Sequence, residues 1–237
     1  MVAGVWAAVV AAMVACLSHV CQAHFNPALS LATKLLTPDA LSWRRLGRIT
    51  LSQLLGAAIG AAATLIAFSP PLAAFETARG LVRGNFNSQR SASALAPFYP
   101  NPNAHTYFML GIGAGYPGAA RAFATEAVGA AALAFVWFSL RHPRNRGMAG
   151  DGALGVKALL FGLTMGGLMS VMAPITMAGL NPARDIAARL LCCAAGWGRY
   201  AFPTGGPFCS LMVYTVAPLL GALLGGSVAI CLGDTQQ

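Results

Sequence analysis

The chain has 237 residues, of which 57% are hydrophobic and only 9% charged, against about 25% charged in a soluble domain. That composition excludes an ordinary cytosolic enzyme. Fifteen Lys/Arg against six Asp/Glu give a net charge of +9, but the charges are too few and too segregated to track nucleic-acid phosphates, so no nucleic-acid partner is expected. The six cysteines show no CxxC or zinc spacing and the four histidines stand at no ligand spacing, so neither a metal nor another cofactor is expected.

Five charge-poor runs are able to cross a bilayer core, which takes about 20 mostly apolar residues as helix. They are Met1–Thr33, Ile49–Phe75, Ala122–Leu140, Ala158–Ala183 and Tyr200–Gly233. The stretch Met1–Gln22 has no basic n-region and no convincing cleavage site, so it reads as a retained helix rather than a signal peptide. The first and fourth runs are too long for one span. Each carries an Asn-Pro dipeptide near its end that breaks one helix and starts another, so each is read as a span followed by a re-entrant segment.

The connectors set the orientation. Lys34, Arg44, Arg45 and Arg48 crowd the first, and Arg141, Arg144, Arg146 and Lys157 the third, which places both in the cytoplasm. The long stretch of about 76–121, with Pro100, Pro102 and four asparagines, falls outside. Counting spans then puts Met1 outside and the C-terminus inside.

Internal repetition carries the most information. Ala23–Leu36 set against Ala178–Leu191 matches at seven of fourteen positions, with Lys34 against Arg189. Three crossings lie between the copies, so they sit on opposite faces and the repeats are inverted. Asn-Pro-Ala is itself a helix start: Asn caps, Pro suits the first helical position, and Ala continues the helix. One copy means no more than that. Two copies in inverted repeats point to half-helices that enter from opposite faces and meet near the midplane, where irregular backbone survives only in protein or beside a watery cavity.

The paired boxes Asn26-Pro27-Ala28 and Asn181-Pro182-Ala183, the second extended by Arg184 and Asp185, resemble the aquaporins or major intrinsic proteins, and within them the glycerol facilitator branch. Asp185, Arg189, Pro218-Leu219, Tyr99 in Phe98–Pro102, and Gly196-Trp-Gly198 with Ala201-Phe202 are similar to that branch's markers. The resemblance covers nearly the whole chain. It implies an all-α integral membrane protein, a right-handed helix bundle with inverted repeats, five transmembrane helices and two re-entrant half-helices. This would be a single channel domain over 1–237, with a first half-repeat of about 1–75, the outer loop, and a second half-repeat of about 122–233. Implied is a multi-pass membrane channel, not an enzyme. It would pass water and small neutral solutes such as glycerol, with urea and metalloid hydroxides as further candidates, and exclude ions and protons. The implied partners are the lipid bilayer and three more copies in a homotetramer.

Residue by residue, the resemblance gives Asn26 and Asn181 donor amides at the pore centre, with backbone carbonyls around His24–Phe25 and Gly179–Leu180 as acceptors. The positive ends of the half-helices repel cations there. Arg184 belongs to an outer constriction with Trp6, Met169 and Ala178. The last two depart from the family's Gly and aromatic, so a wedge is lost and a flexible thioether gained. Glu126, a carboxyl inside an apolar run, supports the loop that carries the second box, while His24 orients the first. The first half-repeat is one helix short of the second. The expectation is therefore an upstream apolar segment of about 20 residues, or else a non-conducting or partner-subunit member of the family.

Overall fold

The structure, a computed structural model, describes residues 1–104, 116–148 and 151–235, and among these no strand forms. Helix α1 (Val2–Leu17) is followed by α2 (Pro27–Leu36), α3 (Trp43–Ala67), α4 (Ser69–Ala78) and the short α5 (Gln89–Ala92). The second half holds α6 (Tyr116–Arg141), α7 (Leu154–Thr176), α8 (Pro182–Cys192), α9 (Gly206–Leu211) and, after a π-helical turn at Met212–Val216, α10 (Ala217–Thr235). Part of the outer loop and of the third connector lies outside the described residues.

Among the described residues, four helical stretches are long and apolar enough to cross a membrane: Trp43–Ala67, Gly118–Arg141, Leu154–Thr176 and Gly206–Thr235. The fifth expected span, α1, has 16 residues. At 1.5 Å per residue that is about 24 Å, short of the roughly 30 Å hydrocarbon thickness. The second run is also corrected. It breaks at Phe68, because Pro70 and Pro71 lack N–H groups and fit only the opening turn of a helix, here that of α4. The last run leaves a 3-10 turn at Gly198–Ala201 and becomes α-helical only from Gly206.

Close backbone crossings hold the bundle together, as small residues allow in a membrane, where lipid supplies no hydrophobic drive between helices. In α10, a Cβ at Gly221 or Gly225 would run into the carbonyl oxygens of Ala127 and Ala131 in α6. In α7, Gly162 and Gly166 admit the α1 backbone at Ala7 and Ala3 in the same way. Helix α3 packs against the half-helices α2 and α8 but is otherwise little covered. None of its most apolar 18 residues is buried, whereas 44% of the matching stretch of α6 is.

The half-helices fill the centre. Asn26 caps α2 from extended backbone, its Oδ1 accepting from the Ala28 N–H at 2.9 Å, with Pro27 as the first helical residue. Asn181 caps α8 likewise, here accepting from two N–H groups, those of Ala183 at 3.0 Å and Arg184 at 3.4 Å. Between them and the long helices lies the apolar core, with Trp137 edge-on to both Phe161 and the His24 ring.

Candidate functional site

The two boxes meet directly. Asn26 Nδ2 donates to the Leu180 carbonyl at 2.8 Å, and Asn181 Nδ2 donates to the Phe25 carbonyl at 2.8 Å. Each carboxamide thus caps its own half-helix through oxygen and binds the opposite repeat through nitrogen. A primary amide has two N–H donors, so one on each Asn is left over for a third group.

The chain leading into each box is bent in the same unusual way. Ala23 (φ 51°) and Phe25 (φ 48°) are left-handed, and so are their repeat equivalents Ala178 (φ 47°) and Leu180 (φ 51°), together with Met177 (φ 61°). Non-glycine residues reach this region at a cost of about 1–3 kcal/mol each, sustained only where surrounding contacts over-determine them. What it achieves here is to turn the carbonyls of Phe25 and Leu180 toward the opposite Asn.

One such contact is visible for the second box. Glu126 is fully buried in α6; its Oε1 accepts from the Gly179 N–H at 2.9 Å and its Oε2 from the Leu180 N–H at 2.6 Å. Tyr214, also fully buried, donates from its hydroxyl to the Thr176 carbonyl at 3.0 Å. For the first box the corresponding support is His24, whose ring nitrogens lie 3.0 Å from Ser30 Oγ and 3.4 Å from Thr33 Oγ1. The sequence had offered no signal for Tyr214, Ser30 or Thr33.

Arg184 leaves the second box toward α1. Its Nη1 donates to the Ala178 carbonyl at 3.2 Å, and its guanidinium lies 5.3 Å from the centre of the Trp6 ring, within cation–π range. Met169 and the Ala178 methyl are buried in the same apolar cluster, with Trp6 packed at its edge. Asp185, next in the chain to Arg184, makes its ion pair elsewhere. It pairs with Arg189 one turn on, and Arg189, 2% exposed, also donates to the carbonyls of Pro97 and Ala201. The pair therefore ties the half-helix to the outer loops.

A cavity of about 820 Å³ lies against the boxes, touching His24, Phe25, Asn181 and Arg184 on one side and Arg48 and Gln53 of α3 on the other. Among the described residues no group of His, Cys, Asp and Glu is placed to hold a metal. Membrane spans surrounding two back-to-back half-helices, with polar amides where they touch, form the architecture of a membrane channel.

The model of the major intrinsic protein family matches residues 1–229. The chain belongs to that family; it is a multi-pass membrane channel protein and not an enzyme. It is 33% identical over 221 residues to the glycerol uptake facilitator protein of Pseudomonas aeruginosa, covering 93% of this chain and 72% of that one. Identity to human aquaporin-9 is 30% over 207 residues, covering 87% of this chain and 62% of that protein. The X-ray structure of the aquaglyceroporin from Plasmodium falciparum shares the fold, with a TM-score of 0.63 at 19% identity over 89% of this chain and 74% of that one.

Proposed function

We propose that the chain is a passive conduit for water and small neutral polyols, glycerol first, and that the spare N–H groups of Asn26 and Asn181 are the donors each molecule meets midway. The observation that carries this is the reciprocal pair of hydrogen bonds between the boxes, which leaves one donor per asparagine at the junction of two positive helix ends. An oxygen can accept there, while a cation meets repulsion from the two helix ends.

Trp6, Met169, Ala178 and Arg184 form the proposed selectivity constriction. Arg184 supplies donors to hydroxyls, and Trp6 supplies an apolar wall for carbon. With alanine at 178 instead of an aromatic, the wall is one-sided and the filter admits flatter solutes such as urea. The sequence-level likeness to glycerol facilitators supports glycerol as the first solute to test. Assembly in the lipid bilayer as a homotetramer completes the reading, and chemical crosslinking of vesicle-embedded protein reads that number.

The deciding experiment is stopped-flow light scattering of vesicles holding purified protein, under water, glycerol and urea gradients. Glycerol re-swelling well above that of empty vesicles, without ionic conductance, is the expected result. Re-swelling no faster than in empty vesicles overturns the proposal.

A further inference from the structure

The segment that leads into the second box runs from the end of α7 to the start of α8. Helix α7 ends at Thr176, and Met177, Ala178 and Leu180 follow in left-handed conformations. The Ala178 carbonyl is the one that Arg184 Nη1 meets at 3.2 Å, so the path of this segment decides where the guanidinium stands. Glu126 holds its far end, through the N–H groups of Gly179 and Leu180.

Tyr214, from the helical stretch Gly206–Thr235, holds its start. The Tyr214 hydroxyl donates to the Thr176 carbonyl at 3.0 Å, a helix-end carbonyl that has no partner within its own helix. The ring of the same side chain lies against Gly179, where an added Cβ would come within 2.4 Å of Tyr214 Cδ1 and 3.1 Å of Glu126 Oε2. Only a glycine leaves room for both side chains at this point. Tyr214 therefore touches the segment at Thr176 and again at Gly179, with Ala178 between.

The tyrosine is itself fixed from several directions. It is fully buried in the π-helical turn Met212–Val216, an irregularity that recurs at functional sites. The Arg189 guanidinium lies 5.3 Å from its ring centre, and the Tyr99 ring is 5.9 Å away. Arg189 is in turn held by Asp185 and by the carbonyls of Pro97 and Ala201. The outer loop reaches the same segment directly, since the Phe98 N–H donates to Met177 Sδ at 3.3 Å. A side chain so enclosed meets no solute, but it can decide what a solute meets.

We propose that Tyr214 is a positioning residue for the selectivity constriction. By tying the Thr176 carbonyl and packing on Gly179 it sets the Ala178 carbonyl, and through that carbonyl the Arg184 guanidinium, which determines which solutes pass. The specificity half of this statement rests on the channel reading; the positioning half does not.

The test compares Tyr214→Phe, which keeps the ring and removes the hydroxyl alone, with Ser88→Ala. The second variant likewise deletes a hydroxyl bonded to a carbonyl, that of Asn85, from a fully buried side chain. Amide hydrogen exchange over residues 177–180 reads positioning in monodisperse protein without any conduction. Tyr214→Phe should speed exchange of the Gly179 and Leu180 N–H groups about fivefold, the factor that losing one neutral hydrogen bond allows; Ser88→Ala should match the parent. Vesicle flux reads specificity. Glycerol needs the guanidinium in register with its hydroxyls more than flat urea does, so the glycerol-to-urea ratio should fall by about the same factor in Tyr214→Phe and hold in Ser88→Ala. Unchanged exchange in Tyr214→Phe, or equal acceleration in both variants, overturns the positioning. Faster exchange with an unchanged flux ratio overturns the role in specificity. A parent that passes no glycerol fails the channel reading, and exchange still decides what Tyr214 holds.

Discussion

Asn26 and Leu180, 154 positions apart, are joined by a 2.8 Å hydrogen bond from amide to carbonyl. Its mirror image joins Asn181 to Phe25. Because each Asn uses oxygen for its cap and nitrogen for the other repeat, Asn26→Asp separates the two roles. Aspartate caps a helix as well as asparagine does, but it cannot donate, so it turns a carboxylate toward the Leu180 carbonyl. The lost bond and the unsatisfied acceptor should cost about 1–3 kcal/mol, and glycerol flux should fall at least tenfold. A thermal melt followed by gel filtration reads the first effect and stopped-flow scattering the second. A variant with parental stability and flux would show that the cross-repeat bond does nothing.

Glu126 offers a graded test of how the second box is held. Glutamine in its place keeps one acceptor for the N–H groups of Gly179 and Leu180 but aims a donor at the other. Alanine removes both acceptors. Unsatisfied backbone groups at membrane depth are expensive, so E126Q should lose about 1–3 kcal/mol and E126A about twice that. Both are measurable as melting shifts in detergent, and equal melting of the two variants would contradict the two-bond arrangement.

The half-helix starts were legible in the sequence because the signal is local. Asn caps and Pro fixes the first turn whatever surrounds them, and the repetition gave the pairing. Glu126 stood out as the one acid in its apolar run, although which N–H groups it meets depends on how α6 packs. The left-handed bends at Ala23, Phe25, Ala178 and Leu180 were invisible. No glycine marks them, and tertiary contacts alone hold them. The fold of Arg141 over Trp137 was hidden for a related reason, since a basic residue at a span end reads as a membrane flank wherever its side chain goes. The end of the second span was the opposite case. Pro70-Pro71 was in plain view, but hydropathy ran past it and hid the break at Phe68.

Ala178 is fully buried beside Met169, with Trp6 at the edge of the cluster, so adding a ring there has two consequences. Ala178→Phe should overpack the site at a cost of about 1–3 kcal/mol. It should also narrow the proposed constriction, shifting the glycerol-to-urea flux ratio several-fold toward glycerol, since an apolar wall discriminates by about 1–3 kcal/mol. Paired flux measurements on one preparation cancel differences in protein yield. An unchanged ratio in a folded variant would remove Ala178 from the constriction.

A second, shorter repeat lies inside the helices. Leu54-Leu-Gly-Ala-Ala-Ile-Gly60 of α3 matches Leu219-Leu-Gly-Ala-Leu-Leu-Gly225 of α10 at five of seven positions. In α10 the two glycines receive the backbone of α6, whereas a Cβ at Gly56 or Gly60 of α3 would meet nothing within 4 Å. The same sequence therefore carries different packing in its two settings. Gly225→Leu should drive α6 and α10 apart, costing roughly 3 kcal/mol or more and abolishing a monodisperse gel-filtration peak. Gly60→Leu, facing open space, should change stability by no more than about 0.5 kcal/mol. Melting of both variants beside the parent gives the comparison. Equal damage from the two would show that Gly60, too, is a packing contact.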